Sequence, residues 1–487
     1  MSTKWDVIII GSGIGGLTCG AFLAKKGMRV KVLEKHYRIG GYAHSFNRGQ
    51  FRFESGIHSV PLARNGYVFT LLNALGIENK IETISHDAMY YLHIGDKKRV
   101  MPLTLNAIKE ELGAAFPGES ANLNNLLSDM HSLYKNIIGP LYNFEPKGNE
   151  TNPSILKKYQ EHTYQTYIES FIKDPSLRQF FYSQWPFTGL TSEYASTTFF
   201  ALLYYVHVLE GSHYLKGGFE ALADALASVI TQNGGEVCTN SLISKLYAEN
   251  GLIRHAVLET GEVIEGREFI SNVSPYILMD NLLEPPFVNR LWKRRLSNLT
   301  CSASAVAVYL GLDKDISDLL PGNIHFWYDH GDFNKMQVRI NNCSSDLIDH
   351  LVLLKTPDAS DQKTLFLMSY INYRHTTNWS TVKETIGTRM IDLAEKIIPG
   401  LSGHIQCKVF ASPCTFERYT ANSEGSLYGF TNSADRYHEA KIPMQTYIPN
   451  LYQTGHWCRG GGIWNVMESG FTVSRLICEK LGIKLIN

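Results

Sequence analysis

The sequence has no excess charge of either sign: 46 Lys and Arg balance 46 Asp and Glu, for a formal net charge of zero. A basic field that gathers phosphates along a nucleic acid is therefore not expected. The eight cysteines are scattered through 487 residues without a Cys-x-x-Cys pair. That excludes a disulfide scaffold and a zinc ribbon, and it predicts a reducing, cytoplasmic compartment and no metal site. Internal repeats and low-complexity linkers are lacking too. Charged residues make up only 19% and hydrophobic residues 44%, which excludes a disordered chain and supplies a large core.

Long uncharged runs are also scarce. Val7–Ala24 has the length of a membrane span, yet it holds Gly11, Gly13, Gly15, Gly16 and Gly20. Five glycines make a poor spanning helix. Asp6 and the want of a small-residue cleavage site argue against a signal peptide. The run reads better as strand, turn and helix.

The chemistry starts there. Trp5–Ile10 reads as a buried strand, and Gly11-Ser12-Gly13-Ile14-Gly15-Gly16 follows at once. Gly11, Gly13 and Gly16 fit G-x-G-x-x-G: Gly11 for the tight turn, Gly13 for close approach to a pyrophosphate, Gly16 for helix–strand packing. A helix is expected over about 17–26, its N-terminal amides and dipole favouring a phosphate. A second strand, 29–33, ends in Glu34, about twenty residues on, where a carboxylate accepts bonds from a ribose diol. An acidic residue there repels a 2′-phosphate, which disfavours NADP. Gly40-Gly41 follows closely, as a turn or as a second approach to the pyrophosphate.

The later segments extend the pattern. Gly41–Phe46, Phe53–His58, Tyr214–Phe219, Phe269–Pro275, Asn450–His456 and Gly460–Val466 together resemble the flavoprotein family of phytoene desaturases, carotenoid isomerases and retinol saturases. Gly56-Ile57-His58 resembles the retinol-saturase branch most. The resemblance implies an α/β protein with FAD as cofactor. Its Rossmann-like FAD-binding domain, of the two-dinucleotide-binding-domain type, would be discontinuous over 1–75, 210–280 and 410–487. An interleaved α+β substrate domain would cover 76–209 and 281–409. The implied cofactor-binding set is Gly11, Ser12, Gly13, Gly15, Gly16, Glu34, Lys35, Gly40, Gly41, Ile243, Gly455, His456, Gly462, Ile463 and Val466. The glycine run Gly460–Gly462 feeds a helix expected over about 464–481, a second N-terminus suited to negative charge on a flavin.

The resemblance also implies a long apolar polyene substrate, altered at a carbon–carbon double bond, with saturation or isomerisation preferred over desaturation. Electrons come from an external donor or acceptor, since no second G-x-G-x-x-G is present. His58 is the expected catalytic group, moving a proton near neutral pH. A non-titrating hydrogen-bonding role is the plainer reading. Arg418 and Tyr419 could face the site, with a structural ion pair as the default. The aromatic run Phe199–Val206 carries no acid; Phe199, Phe200 and Tyr204 are the first choice for a substrate wall, with Phe180–Tyr182 and Trp185–Phe187, although an ordinary core explains them equally. Peripheral membrane contact would suit a lipophilic substrate, but no strongly basic amphipathic helix announces it. Two alternatives stay open: a flavin amine oxidase, and a prenyl-binding chaperone of the GDP-dissociation-inhibitor type that does no chemistry.

Overall fold

The computed structural model describes residues 5–142, 158–159, 162–342, 348–358, 363–376, 378–435 and 442–485. Its glycines divide the uncharged opening run. β1 (Trp5–Ile10) buries Val7, Ile8 and Ile9 completely, each contributing on the order of 1.5–3 kcal/mol. Gly11 turns the chain at φ +91°, a conformation that favours glycine. α1 (Ile14–Lys25) follows. It starts earlier than the sequence pattern suggests because Gly15 and Gly16 lie inside its first turn. β2 is Val30–Leu33.

One seven-stranded sheet gathers pieces from distant parts of the chain. β3 (Glu236–Cys238) pairs parallel with β2. β4 (Ile243–Glu249), β5 (Leu252–Leu258) and β6 (Val263–Ser271) form an antiparallel meander. β6 lies parallel to β1 on the side opposite β2, and β7 (Leu451–Gln453) lies parallel to β6. The order therefore switches direction at β1, where open α/β sheets hold their ligands.

Register then sets the site. Ile10 pairs with both Leu33 and Ser271, and Ser271 pairs with Gln453. The next residues, Gly11, Glu34, Asn272 and Thr454, are thereby aligned along one sheet edge.

The second sheet is also seven-stranded. It runs Ile405–Ala411, Ser304–Leu312, Thr364–Ile371, His350–Lys355, Ile324–Tyr328, Tyr90–Ile94 and Lys97–Met101, antiparallel except where Ile324–Tyr328 meets Tyr90–Ile94. Its central strands are buried on both faces, so they read as continuous apolar runs. One face packs against the helix Trp379–Ile397. The other meets an aromatic core shared with α2 (Thr197–Glu210). α2 is apolar nearly all round because it is buried, and among the described residues no helix is long and apolar enough to cross a membrane. The Rossmann-like sheet with a second, mixed α+β layer is the architecture the sequence predicts.

Three further helices matter below. α3 (Glu220–Gln232) packs on α1. α4 (Arg290–Ser297) is a short basic helix with the sequence RLWKRRLS. It corrects the expectation that no strongly basic amphipathic helix exists: at eight residues, behind Pro285-Pro286, it is too short to stand out in a sequence window. α5 (Ile463–Lys480) lies along α1. That contact is closest at Gly470, where an added Cβ would meet the Gly15 carbonyl oxygen at 2.3 Å and the Cys19 nitrogen at 3.0 Å. Both are backbone atoms and cannot swing aside. Gly470→Ala is expected to destabilise the protein by about 1–3 kcal/mol through this overlap; an unchanged thermal midpoint would contradict the packing.

Candidate active site

The aligned strand ends open onto a cavity of about 450 Å³ that runs from Glu34 past the Gly11–Gly15 turn to His58 and Phe199. Two helix N-termini face it. α1 begins after Gly13 and α5 after Gly462, and neither has a side-chain cap. The first-turn amides of a helix have no intrahelical acceptors, so both ends offer donors and positive potential to an anion.

The floor is made of backbone. A Cβ on Gly13 would lie 2.5 Å from Asn272 Nδ2, and one on Gly15 would lie 2.9 Å from the Gly455 Cα. The Asn272 side chain is thus wedged among Gly13, Gly15, Gly16 and Gly455, its own backbone nitrogen bonded to the Ile10 carbonyl at 2.9 Å. Asn272 belongs to the Phe269–Pro275 segment, but its amide was not singled out from the sequence; the neighbouring glycines supply the only signal. Gly40 and Gly41 line the cavity beside Gly13, and the Gly40 nitrogen donates to the Ser12 carbonyl at 3.0 Å.

Glu34 is buried yet reaches the cavity. Its Oε2 accepts from the Ser12 nitrogen at 2.8 Å and Ser12 Oγ at 2.7 Å, and its Oε1 accepts from the His36 nitrogen at 2.9 Å. A carboxylate has about four acceptor positions, so one is left for a ligand hydroxyl. Lys35 lines the same end and donates from Nζ to the Arg418 carbonyl at 2.7 Å; burial lowers its pKa. Arg38 is held by Glu220. Tyr419 also reaches the cavity, whereas Glu417 accepts from Tyr373 Oη at 2.6 Å rather than pairing with Arg418.

Of the residues expected to bind cofactor, Gly11, Gly13, Gly15, Glu34, Lys35, Gly40, Gly41, Ile243, Gly455, His456, Gly462, Ile463 and Val466 all line this one cavity. Two stand behind its wall. Ser12 is fully buried against Glu34, and a Cβ on Gly16 would strike the Gly11 carbonyl at 2.5 Å. Ser12 orients the carboxylate and Gly16 permits the helix to approach the strand.

The inner end is apolar, with Phe187, Phe199, Leu203, Phe366 and Met368. Phe200 and Tyr204 must be corrected: Phe200 stacks on Tyr164 at 4.3 Å and Tyr204 lies edge-on to Phe181 at 5.8 Å, both in the core. Helical periodicity explains it. Phe199, Leu203 and His207 recur at four-residue spacing and face the cavity, and the next residue along lies about 100° round the helix. Phe180, Phe181, Tyr182, Trp185 and Pro186 do not line it either; only Phe187 of those segments does.

Phe187 lies between two imidazoles, 6.3 Å from His58 and 5.9 Å from His207, both nearly parallel to it. Burial pushes His58 down to about 4 and lowers His207 as well. His58 is therefore neutral at neutral pH, against the expectation that it titrates there. His207 Nδ1 faces the Leu203 carbonyl at 2.8 Å, and His58 Nδ1 faces the Gly56 carbonyl at a longer 3.4 Å. A carbonyl only accepts, so each Nδ1 carries the hydrogen and each Nε2 is left as an acceptor. His456 is also pushed to about 4 by burial, and its Nε2 is buried without a partner among the described residues.

These features fit a dinucleotide with a flat, polar ring: a glycine floor, two helix N-termini, a spare carboxylate position and an unpartnered imidazole nitrogen. The family described as Flavin containing amine oxidoreductase matches residues 14–478. The chain belongs to that family. Its cofactor is FAD. The sequence is 24% identical to an all-trans-retinol 13,14-reductase of Danio rerio over 98% of this chain and 86% of that one. It is 24% identical to a 4,4'-diapophytoene desaturase of Methylomonas sp over 99% and 96%, and 24% identical to a chloroplastic prolycopene isomerase of Daucus carota over 99% and 81%. Among solved structures, an oxidoreductase from Methanosarcina mazei superposes with a TM-score of 0.68 at 17% identity, covering 96% of this flavoprotein and 100% of that chain.

The floor and the histidines each give a test. Gly13→Trp is expected to abolish retention of FAD in a protein that stays soluble; full flavin absorbance would contradict the glycine floor. For the histidines, unfolded imidazoles titrate near 6.5 whereas folded His58 and His456 resist protonation down to about 4. Stability is then full above about pH 6.5 and is lost as pH falls through about 4. His58→Gln should flatten the fall of the thermal midpoint across that window, and an identical slope would show that His58 is not held neutral.

Proposed function

We propose that this flavoprotein adds hydrogen to, or isomerises, a carbon–carbon double bond of a lipophilic, carotenoid- or retinoid-like polyene. The observation that carries this reading is the inner cavity wall of Phe187, Phe199, Leu203, Phe366 and Met368, which bears no carboxylate. Glu34 is the only acid lining the cavity among the described residues, and it lies at the opposite end. An ammonium substrate would lose its hydration there without a partner, a costly transfer, whereas a hydrocarbon gains from burial. That sets the amine oxidase reading aside. The lipid-carrier reading leaves the helix ends and the Glu34 position without a purpose. The names of the three relatives give the same range of chemistry: reduction, desaturation and isomerisation of polyenes.

In this reading Glu34 would hold the ribose diol, the Gly11–Gly15 turn and Gly40-Gly41 would hold the pyrophosphate, and the segment Gly455–Val466 would hold the flavin ring. Ser12 and Gly16 act through their neighbours. When bound, FAD supplies two-electron redox chemistry. The chain's own part is to keep water out and to place the polyene against Phe187 and Phe199. We assign the proton transfer to His58 through Nε2, which is left as an acceptor on a neutral ring. Saturation consumes two electrons and two protons per double bond, so it needs an external electron donor; isomerisation consumes none. A cytoplasmic protein in contact with one membrane face suits such a substrate.

His58→Ala is expected to lower polyene turnover by about 100-fold or more, the scale of lost proton transfer, with FAD content unchanged. Chromatography of the products checks it, and turnover equal to wild type would remove His58 from the reaction. Phe199→Asp should raise KM more than it lowers kcat by placing a charge in the apolar wall.

A further inference from the structure

The charge balance of the whole chain hides a local imbalance. α4 concentrates cations on one exposed surface. Arg290, Lys293, Arg294 and Arg295 are all exposed, and the helix contains no acid. Asp280 pairs with Lys293 at 2.7 Å and leaves the surrounding excess positive. Leu291 stands among these cations with 77% of its surface exposed, the most exposed large apolar side chain of the described residues.

The helix is firmly seated on its other face. Leu296 is buried, Trp292 packs edge-on against Tyr447 at 5.7 Å, and Tyr276 Oη donates to the Leu296 carbonyl at 3.0 Å. Asn289 caps the start by accepting from the nitrogens of Leu291 and Trp292. The exposed face is thus rigid, and Leu291 is held outward by the geometry of the helix: Trp292 and Leu296 take the inward face, so Arg290, Leu291 and Arg294 are turned to solvent. An apolar residue ringed by arginines complements a surface that is anionic and has an oily layer beneath it. A nucleic acid would use the cations but has no place for Leu291 at its backbone.

We propose that α4 docks this flavoprotein on an anionic lipid membrane, with Arg290 and Arg294 against the headgroups, Lys293 beside them and Leu291 inserted between them. The contact is peripheral. Its place next to Leu278–Leu282, whose residue Leu282 lines the cofactor cavity, sets the orientation of the protein on the membrane. The inference stands apart from the reaction proposed above, because it needs only the charge and exposure of this helix.

The test is co-sedimentation of the FAD-loaded, full-length protein with phosphatidylcholine vesicles with and without phosphatidylserine, at low and high salt. Wild type is expected to bind the anionic vesicles, to release with salt, and to ignore the neutral ones. Each cation contributes about fivefold to vesicle affinity, so Arg290→Glu with Arg294→Glu should lower it by at least about 25-fold. Leu291→Ser should weaken it while keeping the salt dependence. Flavin absorbance and thermal midpoint should not move in either variant. Equal sedimentation of wild type and the double variant would overturn the proposal. So would failure to bind anionic vesicles, including the case in which the protein instead binds a single-stranded RNA at the same salt.

Discussion

Everything at this site depends on how closely the backbone of the Gly11–Gly16 turn is approached from two sides. Asn272 and Gly455 press on it from the neighbouring strand ends, and Gly470 brings α5 against α1 from behind. The parallel register puts these partners at the same height, since Ile10, Leu33, Ser271 and Gln453 end their strands together. A floor of glycines with an amide wedged among them has no side chains to fill the space above it. That space suits a dinucleotide, with helix N-termini at two corners and Glu34 at the third.

The same cavity changes character along its length. At the Glu34 end, polar groups are satisfied by one another: Ser12 and His36 hold the carboxylate, and Glu220 holds Arg38. At the inner end, burial removes charge. His58 and His456 are pushed to about 4 and Tyr42 up to about 12, each mainly by loss of solvent. Charge is thus confined to the Glu34 end, and neutrality is kept along the apolar inner wall. The balanced composition of the chain is consistent with this division, but the basic surface of α4 shows that balance overall does not mean balance everywhere.

Much of this was legible in the sequence because local spacing and backbone need coincide. Gly11, Gly13 and Glu34 are fixed by short-range chemistry, so a strand, a glycine turn and an acid twenty residues on suffice to locate them. The C-terminal group from Gly455 to Val466 was legible only through its order in the chain, since the pairing of β6 with β7 is a long-range event. What the sequence did not reveal follows the same logic. Phe199 and Phe200 are adjacent and chemically alike, and only the orientation of α2 sends one to the cavity and the other to Tyr164. His207 has no local signature; it matters because Phe187 comes to lie between it and His58. Nor does residue type report burial, so the neutrality of His58 emerges only from its surroundings.

The most direct measurement is the mass of the product that the FAD-loaded protein makes from a conjugated polyene without oxygen, with and without a chemical reductant. The expected result is a reductant-dependent gain of two hydrogens, or a geometric isomer of unchanged mass. A product lacking two hydrogens, or no conversion of polyenes while a primary amine is oxidised, would contradict it.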